Sequence, residues 1–282
     1  ELSVYDHDIY RYHIGSSKQV GNIYPSNYSQ TFFEGMTKEK QPNIINLVRS
    51  AWAGSQRYGA LVWSGDIAST FKVFGHQVRA GLHMAIAGIP WWTTDIGGFH
   101  GGDPNDPVFQ ELIIRWFQYG VFCPVFRIHG DRKPFTPGPG NSGGGICGSG
   151  GPNEVWSYGE EAYEIMVNHL FLRERLRPYI SQLMQVASDK GTPPMRPLFY
   201  DFPQDSKTWD VGDQYMFGPD LLVAPILEQG ARARSVYLPE GATWTDAYSG
   251  EQFDGGITKF TEAPLARIPL FLKDGAKLPI TQ

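Results

Sequence analysis

Cysteine is almost missing: Cys123 and Cys147 are the only two in 282 residues, and neither belongs to a C-x-x-C pair. That excludes a disulfide scaffold and a four-thiolate zinc site, leaving one bridge or two free thiols open. No stretch approaches the roughly eighteen uncharged apolar residues of a membrane span. The opening residues Glu1 to Asp8 have neither a cationic stretch nor an apolar run, so nothing here is expected to span a membrane. Basic clusters are also lacking. Lys and Arg number 24 against 29 Asp and Glu, a net charge of −5, and no segment gathers the five or six cations of a phosphate-backbone footprint. Nucleic acid is therefore not an expected partner.

What is present is a 41% apolar content, enough for a large core in one big domain or in a barrel-sized domain with a smaller companion. Thirty-three Gly and 21 Pro imply many loops and sharp turns, and 14% of the residues are aromatic, with 8 Trp. Such aromatics first of all fill a core, and next serve as platforms for sugars.

Four short apolar runs end in polar tips: residues 43–50 ending near Arg49, 58–66 ending in Asp66, 89–98 carrying Asp95, and 120–129 ending in His129. Between the second and third, Phe71, Phe74, Val78, Leu82 and Ile86 recur at helical spacing behind the potential caps Ser69 and Thr70. Asp106-Pro107 opens another helix, proline suiting a first turn. Continuous rather than alternating apolar runs separated by helices predict parallel strands covered on both faces, with the working loops at their C-terminal ends. Residues 130–153 read as a long Gly-rich loop of the kind that is often functional. Residues 158–190 read as one or two helices. After Gly191, short β-like runs such as 221–226, 233–238 and 266–272 predict a small antiparallel domain.

Three motifs are set aside. Gly140-Asn141-Ser142-Gly143-Gly144 fits G-x-S-x-G, but its Pro-Gly flanks supply neither the strand nor the helix of a nucleophile elbow. Residues 138–143 fit G-x-G-x-x-G without a preceding strand or a following helix. His76 and His83 share a helix face with no third ligand nearby, so no metal and no cofactor are assigned.

The polar strand ends are the informative feature. In a parallel α/β barrel they converge on one pocket. Two carboxylates, an Arg and a His walled by Trp52, Trp63, Trp91, Trp92 and Phe99 suit a neutral polyhydroxylated ligand. Each Asp taken alone is as readily a turn former or helix cap. The tip sequences Val62-Trp63-Ser64-Gly65-Asp66, Trp92-Thr93-Thr94-Asp95-Ile96-Gly97-Gly98-Phe99 and Phe126-Arg127-Ile128-His129-Gly130 resemble glycoside hydrolase family 31, the retaining α-glucosidases and α-xylosidases. Residues 49–57 resemble the family segment just upstream, while 195–200 and 218–225 resemble the entry to its first C-terminal β domain.

The resemblance implies the C-terminal half of a (β/α)8 TIM barrel over residues 1–191, followed by a C-terminal β-sandwich over 192–282. It implies that Asp66 is the general acid/base, helped toward its protonated form by Trp63 and a neighbouring negative charge. Arg49, Trp63, Asp95, Phe99 and His129 would bind an oligosaccharide or glycoside substrate. The family's nucleophile motif, W-x-D-x-x-E-P-like, does not occur in these residues. The four runs then correspond to barrel strands five to eight, and the missing N-terminal part of the same enzyme is the expected partner carrying the nucleophile. A non-catalytic carbohydrate-binding fragment is the competing expectation.

Overall fold

The computed structural model describes residues 9–136 and 149–281. A two-rung hairpin at residues 11–16 precedes helix α1 (Tyr24–Lys38), which has Pro25 in its first turn. The sequence reading places no helix here, and the structure shows why. The regularly spaced large residues Tyr24, Tyr28, Phe32 and Met36 all face solvent, while the buried positions are the small Ser26 and Ser29. The periodicity belongs to an exposed stripe.

Strands β1 (Asn46–Val48), β2 (Ala60–Trp63) and β3 (Trp92–Thr93) form a parallel sheet in sequence order, with Val48 opposite Val62 and Val62 opposite Trp92. Helix α2 (Phe71–Ile86) returns from β2; the Thr70 hydroxyl accepts from the Val73 N–H at 3.2 Å, the expected cap. Gly81 of α2 faces β3, where an added Cβ would lie 2.7 Å from Trp92 Nε1. Helix α3 (Pro107–Val121) starts as expected at Asp106, whose carboxylate accepts from the Val108 N–H at 2.9 Å.

The expected strand over 120–129 does not form. Helix α3 runs on through Val121, because Gly120 gives close approach to Ile96 rather than a break: a Cβ there would lie 2.6 Å from Ile96 Cδ1. Pro124 then offers no N–H. The segment lies beside β3 through the Val125 N–H donating to Trp92 O at 3.2 Å, and further on through the Asp131 N–H donating to Phe99 O at 2.8 Å. The long loop also carries structure at its ends, where β4 (Arg132–Thr136) pairs antiparallel with β5 (Ser149–Gly151). The G-x-S-x-G and G-x-G-x-x-G matches and Cys147 lie outside the described residues. The final helical region is two helices, α4 (Glu160–Arg175) and α5 (Arg177–Lys190), the second ending at left-handed Gly191.

The remaining chain forms β6 (Met195–Pro197), β7 (Tyr215–Phe217), β8 (Leu221–Val223), β9 (Ala233–Leu238), β10 (Thr243–Asp246), β11 (Gln252–Asp254), β12 (Ile257–Glu262) and β13 (Leu270–Lys273). Six of them make one antiparallel sheet in the order β11-β10-β13-β8-β7-β6, and β9 pairs with β12 in a second ladder. Val236 and Leu238 of β9 cluster with Met216, Leu222, Trp244 and Phe271 of the sheet. The opposite sheet face, with Tyr215, Phe217, Leu221, Val223 and Leu270, joins the core that also contains Tyr119 and Phe122.

Arg115 of α3 ties this β unit down. It is 1% exposed, and its guanidinium donates to Arg267 O and Ala263 O at 2.8 Å and to Ala231 O at 3.1 Å. Gln118 one turn later donates to Leu265 O at 2.7 Å. Burial lowers the Arg115 pKa to about 10, so the group stays charged at neutral pH. Each buried carbonyl left without a donor costs about 1–3 kcal/mol. Arg115→Ala is therefore expected to lower stability by about 3 kcal/mol or more. Urea unfolding checks this; a midpoint within error of wild type would show that the β unit is held by apolar contact alone.

Candidate active site

At the tip of β2 the chain turns through Gly65, whose φ of 73° lies in the left-handed region, and presents Asp66 to solvent. Asp66 Oδ2 accepts from Arg49 Nη2 at 3.3 Å, with the two side chains 35% and 50% exposed. An exposed pair of this kind contributes at most about 1 kcal/mol, so its consequence is orientation rather than stability. Arg49 and Trp63 line an open cavity of about 310 Å³ together with Tyr24, Tyr28 and Leu47.

At the tip of β3, Asp95 is 0% exposed. Its N–H donates to Ser64 Oγ at 3.1 Å, linking the two tips. Arg127 Nη1 donates to Asp95 Oδ1, while Oδ2 is buried without a hydrogen-bond partner. Burial pushes the Asp95 carboxyl above the ordinary aspartate range. Arg127 and His129 pull the other way, and the negative charge of Asp66 adds a smaller rise. The direction follows from desolvation exceeding the help of one guanidinium.

Phe99 completes the cluster. Its N–H donates to Ile67 O at 2.7 Å and its carbonyl accepts from the Asp131 N–H at 2.8 Å, which knits together the loops after β2 and β3 and the segment beyond His129. The Phe99 ring centroid lies 5.4 Å from that of His129. Arg49, Trp63, Asp66, Asp95, Phe99 and His129 thus fall at one end of the parallel strands, as the sequence reading places them.

Two features differ from that reading. Asp95 has no exposed surface, and the polar group paired with it, Arg127, is 23% exposed at its side chain. The sequence reading omits Arg127, although its spacing of two from His129 sets both on one side of an extended segment. Three of the tryptophans proposed as walls are elsewhere. Trp92 is 4% exposed and packs against Gly81 of α2. Trp91 lines a separate cavity beside Gly59 and Ala60, at the opposite end of the strands. Trp52 is 47% exposed and is not part of the cavity lining. Tyr24 and Tyr28 take their place. His76 and His83 are exposed on α2, and among the described residues no three His, Cys, Asp or Glu side chains gather.

Acid residues at the C-terminal tips of parallel strands backed by helices are the arrangement of an α/β-barrel face. Residues 3–183 match the family profile described as the glycosyl hydrolases family 31 TIM-barrel domain, and 191–278 match the glycosyl hydrolase family 31 C-terminal domain. The chain belongs to glycosyl hydrolase family 31. It is 36% identical over 267 residues to an α-xylosidase of Saccharolobus solfataricus, covering 95% of this chain and 34% of that protein. Among solved structures, a family 31 α-xylosidase from a soil metagenome, complexed with xylose, superposes with a TM-score of 0.93 at 58% identity, over 98% of this chain and 41% of that one. A Flavobacterium johnsoniae dextranase complexed with glucose gives 0.83 at 33% identity, over 98% of this chain and 32% of that one. The chain thus spans about a third to two-fifths of these three relatives.

The raised Asp95 carboxyl has a thermodynamic consequence. A folded state that binds a proton more tightly than the unfolded chain loses stability as pH rises from the ordinary aspartate range through the raised value. Asn at this position does not titrate. The melting temperature of Asp95→Asn relative to wild type is therefore expected to improve between about pH 4 and neutral pH. A difference independent of pH would show that Arg127 offsets the burial of Asp95 in full.

Proposed function

We propose that this chain carries the acid/base side of a retaining α-glycosidase acting on terminal α-xylosides or α-glucosides. The observation that carries the proposal is the pair of unlike carboxylates at adjacent strand tips: Asp66 exposed beside Arg49, and Asp95 buried beneath Arg127. A retaining mechanism needs an acid that can reach the leaving oxygen, and a second carboxylate about 5–5.5 Å away that attacks the anomeric carbon. Asp66 is accessible enough to protonate the leaving oxygen and then to take a proton from the incoming water. Asp95 is not the nucleophile in this reading, because its oxygens are occupied by Arg127 or shut off from the cavity. The nucleophile is assigned to a segment outside these 282 residues, packed along β1.

Arg49, Trp63, Phe99 and His129 would hold the sugar. Asp95 Oδ2, a buried acceptor without a partner, is the group a sugar hydroxyl would satisfy once Arg127 shifts aside. Residues 1–191 are taken as the C-terminal half of the barrel and 192–282 as a β-sandwich that supports it. The α-xyloside option is supported by the names of the archaeal and metagenome relatives.

In an active form of the protein, Asp66→Asn is expected to lower turnover on natural glycosides by roughly 10²–10⁴. An aryl glycoside, whose leaving group needs little protonation, should lose much less in its first step. Equal losses on both substrates would remove Asp66 from the acid role. Retained sugar binding with no turnover on either substrate, already in the unsubstituted protein, would favour the non-catalytic alternative.

A second test concerns the partner. Among the described residues, strand β1 is paired with β2 alone, and Ile45 and Leu47 are 54% and 44% exposed beside the α1 stripe. Such an apolar edge invites association. The 282-residue chain alone is expected to self-associate and to be inactive, and co-expression with a companion carrying the preceding barrel strands should restore solubility and turnover. Size-exclusion chromatography with aryl-xyloside and aryl-glucoside assays decides it. A monodisperse monomer that hydrolyses either substrate would place the nucleophile within this sequence.

A further inference from the structure

We propose that Arg132 is a positioning residue for the sugar site, holding the Asp95–Phe99 loop from inside through backbone carbonyls and joining it to the foot of the hairpin formed by β4 and β5. Arg132 is 0% exposed. Its Nη1 donates to Gly98 O at 2.9 Å, Gly101 O at 3.2 Å and Ser69 Oγ at 3.4 Å, and its Nη2 donates to Ile96 O at 3.0 Å. Its Nε reaches Asn153 Oδ1 at 3.1 Å and the Tyr158 hydroxyl at 3.3 Å. None of these partners is a carboxylate. A buried cation ordinarily needs a counter-charge or a full set of acceptors, and here carbonyl and hydroxyl dipoles supply the set.

The glycines of the motif fit this arrangement. Gly97, Gly98 and Gly101 have φ of 87°, 81° and 84°, a conformation that costs other residues energy. Bending there turns the Ile96, Gly98 and Gly101 carbonyls inward. At two of the glycines there is no room for a side chain beside the guanidinium: a Cβ on Gly97 would lie 2.9 Å from Arg132 Nη2, and one on Gly130 would lie 2.6 Å from the guanidinium. The glycines thus wrap the backbone around a cation, rather than serving only as a flexible turn.

The three carbonyls lie immediately beyond Asp95 and on either side of Phe99. Phe99 in turn donates to Ile67 O and accepts from Asp131 N, and its ring faces His129. Releasing the carbonyls would therefore let Phe99 and His129 move together, while Asp66, on the β2 tip, keeps its bond from Arg49. The effect expected is on affinity for the sugar ring rather than on proton transfer to the leaving group.

The sugar part of this inference rests on the proposed glycosidase reading, so the test carries a readout that does not. In Arg132→Gly, made in the protein co-expressed with the companion barrel segment, amide hydrogen exchange at Phe99 and Asp131 is measured alongside the dissociation constant for xylose. Both amides are expected to exchange faster and xylose to bind more weakly, each by roughly tenfold or more. Millimolar guanidinium should reverse both effects by filling the vacated carbonyl cage. That reversal separates positioning from general weakening of the fold, which guanidinium would only worsen. Arg234→Ala, which removes an arginine of the β unit whose side chain is 14% exposed and paired with Asp213, is expected to lower the melting temperature without changing either readout. If Arg132→Gly does not fold, Tyr158→Phe combined with Asn153→Ala strips the Nε partners more gently and is judged by the same two measurements. Wild-type exchange and affinity in the variants, or losses in Arg132→Gly that guanidinium does not reverse, would overturn the proposal. Wild-type protein assembled with the companion barrel segment that binds no xylose would overturn the glycosidase reading, and amide exchange would then decide the role of Arg132 alone.

Discussion

Loops that turn inside a fold leave carbonyl oxygens without N–H partners, and this chain answers that constraint with buried guanidinium groups. Arg173 gathers Val121 O, Cys123 O and Pro124 O at the turn after α3, and burial lowers its pKa to about 10. Arg115 and Arg132 do the same at the β-unit seam and at the loop after β3. The parallel strands are only two to four residues long, so their ladder alone cannot fix where the tips point. Each guanidinium offers five donors in a rigid fork, which suits carbonyls converging from different segments better than another backbone N–H could.

This explains which parts of the fold were legible in the sequence. Helices α2 and α3 announced themselves through Thr70 and Asp106-Pro107, local signals that need no tertiary context. The strand tips were legible because polar residues follow short apolar runs. The apolar run 120–129 reads as a strand, yet its first two residues finish α3, where the bare Cα of Gly120 lets Ile96 come close. Helix α1 was missed because its large residues point outward, against the usual relation between period and burial.

The candidate site was legible in its residue types but not in its depth. Asp66 and Asp95 look equivalent as acids after a strand, yet one is exposed and the other has no accessible surface. That difference arises from Ser64 and Arg127 closing over Asp95, a relation between segments 31 and 32 residues apart. The tryptophans were misplaced for a similar reason. In a two-residue strand, neighbouring side chains go to opposite faces, and Trp92 takes the face toward α2. Cys123, buried with its thiol pushed up to about 12, is closed to thiolate chemistry.

The bonds from Arg115 to the β unit also set a timetable for synthesis. Its acceptors at residues 263, 264 and 267 follow it in the chain by 148, 149 and 152 positions. A ribosome adds about 5–20 residues per second, so roughly 8–30 s separate the making of α3 from the making of the carbonyls that neutralise its cation. During that interval the cationic face of α3 stays hydrated and the apolar residues around Tyr119 lack Tyr215 and Phe217. Helix α3 must therefore wait for residues 263–267 before its buried guanidinium finds its acceptors, so this seam closes only after the β unit is made.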